Sequence, residues 1–229
     1  MISIIVPAHN EEACVAACVK SLLCASRSSV LSGEAVQVLV VLDNCTDNTE
    51  KIALRLGAAT LAVGGRNVGQ ARAAGARTAL QAGARWLAFT DCDTVVAPDW
   101  LAAQMALHAR GADAVCGTVS VGDSASYGQR MQQHFAATYF DVDGHRHVHG
   151  ANLGVSAAAY VRSGGFRPLR SSEDVALVTS LQKVGAAIVW SATPRVITSA
   201  RLDYRAPGGF GATLLRIEEG RQWVLPEVA

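Results

Sequence analysis

Two carboxylates one residue apart, Asp91 and Asp93, close a short apolar run at 86–90. Carboxylates at that spacing can converge on a hard divalent cation, which prefers oxygen ligands and in nucleotide sites bridges protein to phosphate. The spacing alone fits a pair of exposed loop acids equally well. A second acidic pair, Glu173-Asp174, stands at the head of a stretch with Val175, Leu177, Val178 and Leu181 at helical spacing; acids there also suit a helix N-terminus for dipole reasons alone. A third group is the alternation His145, His147, His149 behind Asp141 and Asp143. On a strand those imidazoles would share a face and could bind a transition metal, or they could line a sugar or phosphate pocket.

The elements that must position these groups follow from periodicity. Residues 2–6 are apolar on both faces, as in a parallel strand covered by helices, and Pro7 is expected to end it. Asn10 is placed to cap a helix carrying Val15, Cys18, Val19, Leu22 and Leu23. A β-branched run at 36–42 stops at Asp43-Asn44, and Asp47 with Glu50 reads as a capping box for the next helix. A short strand at 60–63, an alanine-rich helix at 70–81 behind Asn67 and Gly69, and the strand at 86–90 continue the alternation. Strands alternating with helices imply right-handed βαβ crossovers, so residues 1–93 read as one half of a doubly wound sheet. The polar stops His9-Asn10-Glu11, Asp43-Asn44 and Asp91-Cys92-Asp93 then share one edge of that sheet, the edge where open α/β folds bind ligands. Beyond it, a helix from 100, a strand at 114–121, a helix at 124–140, a strand at 152–156, a small helix closed by Gly164-Gly165, and strands at 188–190 and 196–198 are expected.

Length and composition bound the rest. The 229 residues suit one full-sized domain, and 50% hydrophobic against 17% charged residues is a globular composition. No linker or repeat divides the chain, so it reads as a single domain over 1–229. A net charge of +1 without a basic stripe excludes the footprint of a nucleic-acid binder. Six cysteines with no C-x-x-C pair signal neither a zinc knuckle nor a disulfide framework. With no basic leader and no run of about 20 apolar residues, a cytoplasmic protein is expected, a peripheral membrane contact staying open.

The first βα turn, Pro7-Ala8-His9-Asn10-Glu11, contains no glycine, which argues against a dinucleotide fingerprint, and no G-x-x-x-x-G-K-[ST] occurs. A nucleotide site built from strand-end acids and a metal remains. Here a resemblance becomes specific. The stretches Ile2-Ser3-Ile4-Ile5-Val6-Pro7-Ala8-His9-Asn10-Glu11-Glu12, Val40-Val41-Leu42-Asp43-Asn44-Cys45-Thr46-Asp47-Asn48-Thr49, Asn67-Val68-Gly69-Gln70-Ala71-Arg72, Asp91-Cys92-Asp93, Gly164-Gly165-Phe166 and Glu173-Asp174 resemble, in order, the motifs of family 2 glycosyltransferases of the GT-A fold.

That resemblance implies a Rossmann-like, mostly parallel α/β sheet with helices on both faces, a nucleotide-binding half at 1–93, and an acceptor-binding and catalytic half at 94–229. It implies transfer of a sugar from a nucleotide-diphosphate sugar, UDP-linked, to an unknown hydroxyl, with Mg²⁺ or Mn²⁺ and inversion. By the family pattern Pro7, Ala8, Asn10 and Glu11 line the nucleoside pocket, Asp43 hydrogen-bonds the base, and Arg72 reaches the base or its ribose. Asn67 and Cys92 fall within the same donor-binding motifs. Asp91 is expected near ribose or metal, Asp93 on the metal, and Asp174, beside Glu173, as general base. His149 is expected near the acceptor side. No histidine follows Asp174, where some relatives supply a late metal ligand. Two alternatives are a sugar-phosphate nucleotidyltransferase, which wants a glycine-rich basic loop that 7–12 does not provide, and an inactive nucleotide-sugar binding module.

Overall fold

The computed structural model describes residues 1–122 and 139–199. Its main sheet contains β1 (Ile2–Ala8), β2 (Val36–Asp43), β3 (Ala59–Val63), β4 (Trp86–Phe89), β6 (Ala114–Gly117), β8 (Leu153–Ser156) and β9 (Ile188–Ser191) in the order β3-β2-β1-β4-β8-β6-β9. β8 runs antiparallel to both neighbours and the other pairings are parallel. The ends of β1, β2, β4, β6 and β9 therefore share one edge. A second, three-stranded sheet joins β5 (Thr94–Val96), β10 (Val196–Thr198) and β7 (Ser120–Val121).

Period-two alternation divides the core. Ile2, Ile4, Val6, Val38, Val40, Leu42, Trp86 and Ala88 face α1 (Val15–Ala25) and α4 (Trp100–Ala109). Ile5, Leu39, Val41, Leu87 and Phe89 face α3 (Val68–Gln81), α5 (Ala157–Arg162) and α6 (Glu173–Lys183). A short α2 (Thr49–Arg55) joins β2 to β3. The small residues of α3 let it lie close to the sheet: a Cβ on Gly75 would come within 2.5 Å of Ile5 Cγ2 and 2.8 Å of Val41 Cγ2. Gly75→Ala is therefore expected to lower stability by about 1–3 kcal/mol through overpacking, measurable as a lower urea midpoint at unchanged m-value.

Several sequence expectations shift. Pro7 does not end β1, because β4 pairs only as far as Ile5 and the missing N–H falls on the side β4 no longer covers. Asn10 is not the cap of α1; the helix starts after Cys14, and Asn10 adopts a left-handed φ of 53°. The Asp47 and Glu50 capping box does not close: Asp47 Oδ1 accepts from Thr49 N–H, while Glu50 turns to the Thr60 hydroxyl. The run 114–121 is two strands in two sheets, since the chain leaves the main sheet after Gly117. The three-residue β5 and β10, each with one outward side chain, carry too short an alternation to announce the small sheet. Residues 124–138 of the helix expected at 124–140 lie outside the described residues. Among the described residues no helix is long and apolar enough to cross a membrane.

Candidate active site

The two acids flank Cys92 in the tight turn that follows β4. Asp91 and Asp93 are both half-buried, while the Cys92 side chain packs into the core with Cys18, whose thiol donates to the Asp91 carbonyl at 3.5 Å. Hydrogen bonding to Cys18 and burial push the Cys92 thiol far up. Cys92 thus meets the edge only through its backbone. The backbone N–H of Thr94 closes the turn on the Asp91 carbonyl at 3.1 Å.

The loops after β1 and β2 are laced together. Asn10 Oδ1 accepts from Thr46 N–H at 2.7 Å, Asn10 N–H points at Cys45 Sγ, and the Cys45 thiol donates to the Ala8 carbonyl. Glu11 N–H donates to the Thr49 hydroxyl at 2.8 Å. His9 Nδ1 sits 2.6 Å from the Asp43 carbonyl, which fixes the proton on that nitrogen because a carbonyl only accepts. Pro7, Ala8, Asn10 and Glu11 therefore form one wall with a preset backbone. His9 belongs to the same wall, although only its place at a strand end signalled it.

Asp43 is buried and clamps the loop after β3. Its Oδ1 accepts from the N–H groups of Gly65 and Arg66 at 2.9 Å each, and its Oδ2 from Asn67 N–H at 2.7 Å. The carboxylate expected on a base is thus already committed to three backbone donors. Asn67 is likewise engaged: its Oδ1 caps α3 through Gln70 N–H, and its Nδ2 donates to the Pro168 carbonyl at 3.1 Å.

Arg72, one turn into α3, is the hub. Its side chain is 4% exposed, with Nη2 2.5 Å from Asp91 Oδ1 and Nη1 paired to Glu173 Oε1. The guanidinium expected on base or ribose is instead fixed between the acid after β4 and the acid that opens α6. Its face lies 5.8 Å from the Phe166 ring. A Cβ on Gly150 would collide with this guanidinium, and Gly150 N–H donates to Asp174 Oδ2 at 2.8 Å. Asp174 Oδ1 also accepts from Val175 N–H at 2.8 Å. Burial raises the pKa of both Glu173 and Asp174, the positive charge of Arg72 opposing it. Gly150 carried no signal of its own in the sequence, where the histidine alternation just before it points to the imidazoles and not to a backbone N–H.

The histidine segment is not a strand, yet its alternation keeps the rings together in a buried stack. His145 and His147 lie 5.4 Å apart between centroids, His147 and Tyr139 4.3 Å, and His147 and His149 6.2 Å. Tyr139 Oη contacts His149 Nε2 at 3.1 Å and accepts from Val119 N–H at 2.6 Å. Burial lowers the His149 pKa to about 3 and lowers that of His145 as well, so both rings stay neutral. Asp141 holds the segment to Thr118 and Arg195, and Asp143 holds it to Ser191 and Ala192. Neither acid converges on the imidazoles as a metal shell. Among the described residues no group of three or more His, Cys, Asp or Glu side chains could hold a metal. The segment is a strap across the strand ends, and it delivers Gly150, the residue after His149, to Asp174.

Comparison with known proteins gives the family and the fold. The model of the family described as Glycosyl transferase family 2 matches residues 3–170. No curated protein matches the sequence. Among solved structures, the S. aureus TarS 1–349 complex with UDP-GlcNAc superposes with a TM-score of 0.67 at 16% identity, over 95% of this chain and 65% of that one. A mannosyltransferase of Pyrobaculum calidifontis with GDP-Man and Mn²⁺ gives 0.64 at 18%, over 87% and 57%. Glucosyl-3-phosphoglycerate synthase of Mycobacterium tuberculosis, with Mn²⁺, UDP and glucosyl-3-phosphoglycerate, gives 0.58 at 18%, over 97% and 81%. The chain thus spans less than two thirds of the TarS and mannosyltransferase chains, and at these identities the likeness is one of fold.

Proposed function

The chain belongs to glycosyl transferase family 2, and on that premise we propose that it transfers a sugar from a nucleoside-diphosphate sugar, UDP-linked, to an acceptor hydroxyl with inversion. The observation that carries the reading is the continuous chain Asp91, Arg72, Glu173 and Asp174, which ties the edge suited to a donor diphosphate to the carboxylate suited to deprotonate an acceptor.

The donor's nucleoside is assigned to the wall of Pro7, Ala8, His9, Asn10 and Glu11. Asp43 and Asn67 serve it indirectly, Asp43 by holding Asn67 N–H to the end of β2 and Asn67 by capping α3. Asp91 and Asp93 are the residues that would hold Mg²⁺ or Mn²⁺, ions that prefer carboxylate oxygens, although among the described residues no third acidic, histidine or cysteine side chain joins them. Such an ion would supply neutralisation of the charge that grows on the leaving diphosphate. Asp174 accepts the acceptor's hydroxyl proton as the oxygen attacks the anomeric carbon and the bond from that carbon to the diphosphate breaks. Its raised pKa suits a base that works near neutrality. Glu173 is held by Arg72 beside it, and Gly150 N–H fixes the carboxylate's orientation. The free state of all six cysteines fits the cytoplasmic setting included in this proposal.

A thermal-shift series with UDP, GDP and their sugars, each with and without Mn²⁺, tests the donor assignment. A ligand at 100 times its dissociation constant adds about 2.7 kcal/mol, or about 5–10 °C in Tm for a chain of this size. The uridine nucleotides with Mn²⁺ should give the larger shift. No shift with any of them would remove the nucleotide-sugar reading.

A further inference from the structure

Three arginines around the site remain outside the network described above. Arg66 follows β3, and Arg167 and Arg170 lie on the loop that leads into Glu173-Asp174; all three are exposed. None takes a carboxylate partner among the described residues, whose ion pairs involve other groups. Neither 64–71 nor 163–172 contains an acidic residue, in a chain whose net charge is only +1. The concentration of positive charge is therefore local.

The backbone builds this juxtaposition. Asn67 Nδ2 donates to the Pro168 carbonyl at 3.1 Å, tying the two loops together between Arg66 and Arg167. A Cβ on Gly69 would collide with the Arg167 carbonyl and lie 2.9 Å from that of Leu169, so a glycine is needed for the loops to approach. Arg66 is held at a left-handed φ of 46° by the Asp43 clamp on its N–H and on those of its neighbours. That conformation is costly for a branched-out side chain and persists because the carboxylate enforces it.

We propose that Arg66, Arg167 and Arg170 form a subsite for a phosphomonoester carried by the acceptor. The inference rests on the glycosyltransferase reading. Guanidinium groups recognise phosphate by paired, charge-assisted hydrogen bonds, and an exposed fork without an internal carboxylate is available for them. The donor's own diphosphate is assigned to Asp91 and Asp93, with a cation. The arginine loop instead ends at Glu173-Asp174, so a phosphate anchored on it holds the rest of its molecule at the base.

The test titrates inorganic phosphate into the full chain saturated with UDP and Mn²⁺, by calorimetry. The triple variant R66A/R167A/R170A is compared with R27A/R55A/R110A, which removes equal charge from exposed positions elsewhere. Phosphate should bind wild type and the control alike, and at least tenfold more weakly to the subsite variant, with UDP affinity unchanged in all three. Sedimentation with phosphatidylcholine vesicles containing phosphatidic acid separates the sources: retention that needs the three arginines assigns a lipid headgroup, and its absence beside intact phosphate binding assigns a soluble acceptor. Equal loss in the control, displacement of phosphate by UDP, loss of UDP binding in the subsite variant, or no phosphate binding to wild type would each overturn the subsite. Failure of UDP to bind wild type is a separate readout and would strike the functional reading itself.

Discussion

Asp174→Asn is expected to lower kcat by about 10²–10⁴-fold, the usual contribution of a positioned general base, with the Kd for UDP nearly unchanged. The substitution is close to isosteric but leaves one oxygen where Asp174 has two, so either Gly150 N–H or Val175 N–H loses its acceptor, a cost that falls on stability and is read as a lower urea midpoint. What disappears for catalysis is the ability to take a proton. In wild type the acid limb of the pH–rate profile should lie above the ordinary carboxylate range, because burial raises the Asp174 pKa and Arg72 only partly opposes it. The Asn variant should lose that limb along with the rate. Donor affinity by calorimetry and turnover by nucleotide release separate the two effects, and normal turnover in the variant would remove Asp174 from the mechanism. A binding module without catalysis would show UDP affinity in both proteins and nucleotide release in neither.

The parts of this site that could be read from sequence are those written in local pattern. The polar stops after β1, β2 and β4 announce a shared edge because strand alternation and crossover handedness leave few other topologies. The apolar run of β4 stops at that edge, and the turn beyond it leaves Asp91 and Asp93 half-buried and sends Cys92 inward. What escaped are contacts made across long stretches of chain. Asp43 and loop 64–67, or Arg72 and Glu173, are 22 and 101 residues apart, and nothing in the residue types says that a strand-end acid will bind three backbone N–H groups before any ligand. The histidine alternation shows the opposite case. Its pattern left a metal-binding strand open beside a loop on the acceptor side; burial keeps His145 and His149 neutral, and stacking of His147 on Tyr139 with an edge-on contact of His145 to Trp190 orders the segment as a strap. Burial is set by the strand ends beneath, which the segment itself does not encode.

The Arg72 contacts carry the second large effect. Arg72→Met should lower stability by about 3 kcal/mol or more, since removing one partner of a buried ion pair leaves an uncompensated charge. The cost falls mainly at Glu173, because Asp91 is 36% exposed and its share is screened. Arg72→Lys should recover little of it, because a single ammonium cannot hold two carboxylates in the fork that a guanidinium spans. Adding Glu173→Gln to Arg72→Met should restore part of the loss by removing the stranded charge, a non-additivity that a simple packing defect would not produce. The dependence on pH has a defined sign. A carboxyl whose folded-state pKa is raised contributes stability below its unfolded value and loses it as pH rises through the folded value. Without Arg72 the pKa values of Glu173 and Asp174 rise further, so the stability deficit of Arg72→Met should widen from acid toward neutral pH, and its rate profile should have an acid limb at higher pH than wild type. Urea midpoints and kcat across that range read both. A deficit independent of pH, with an unmoved acid limb, would reduce Arg72 to a packing residue.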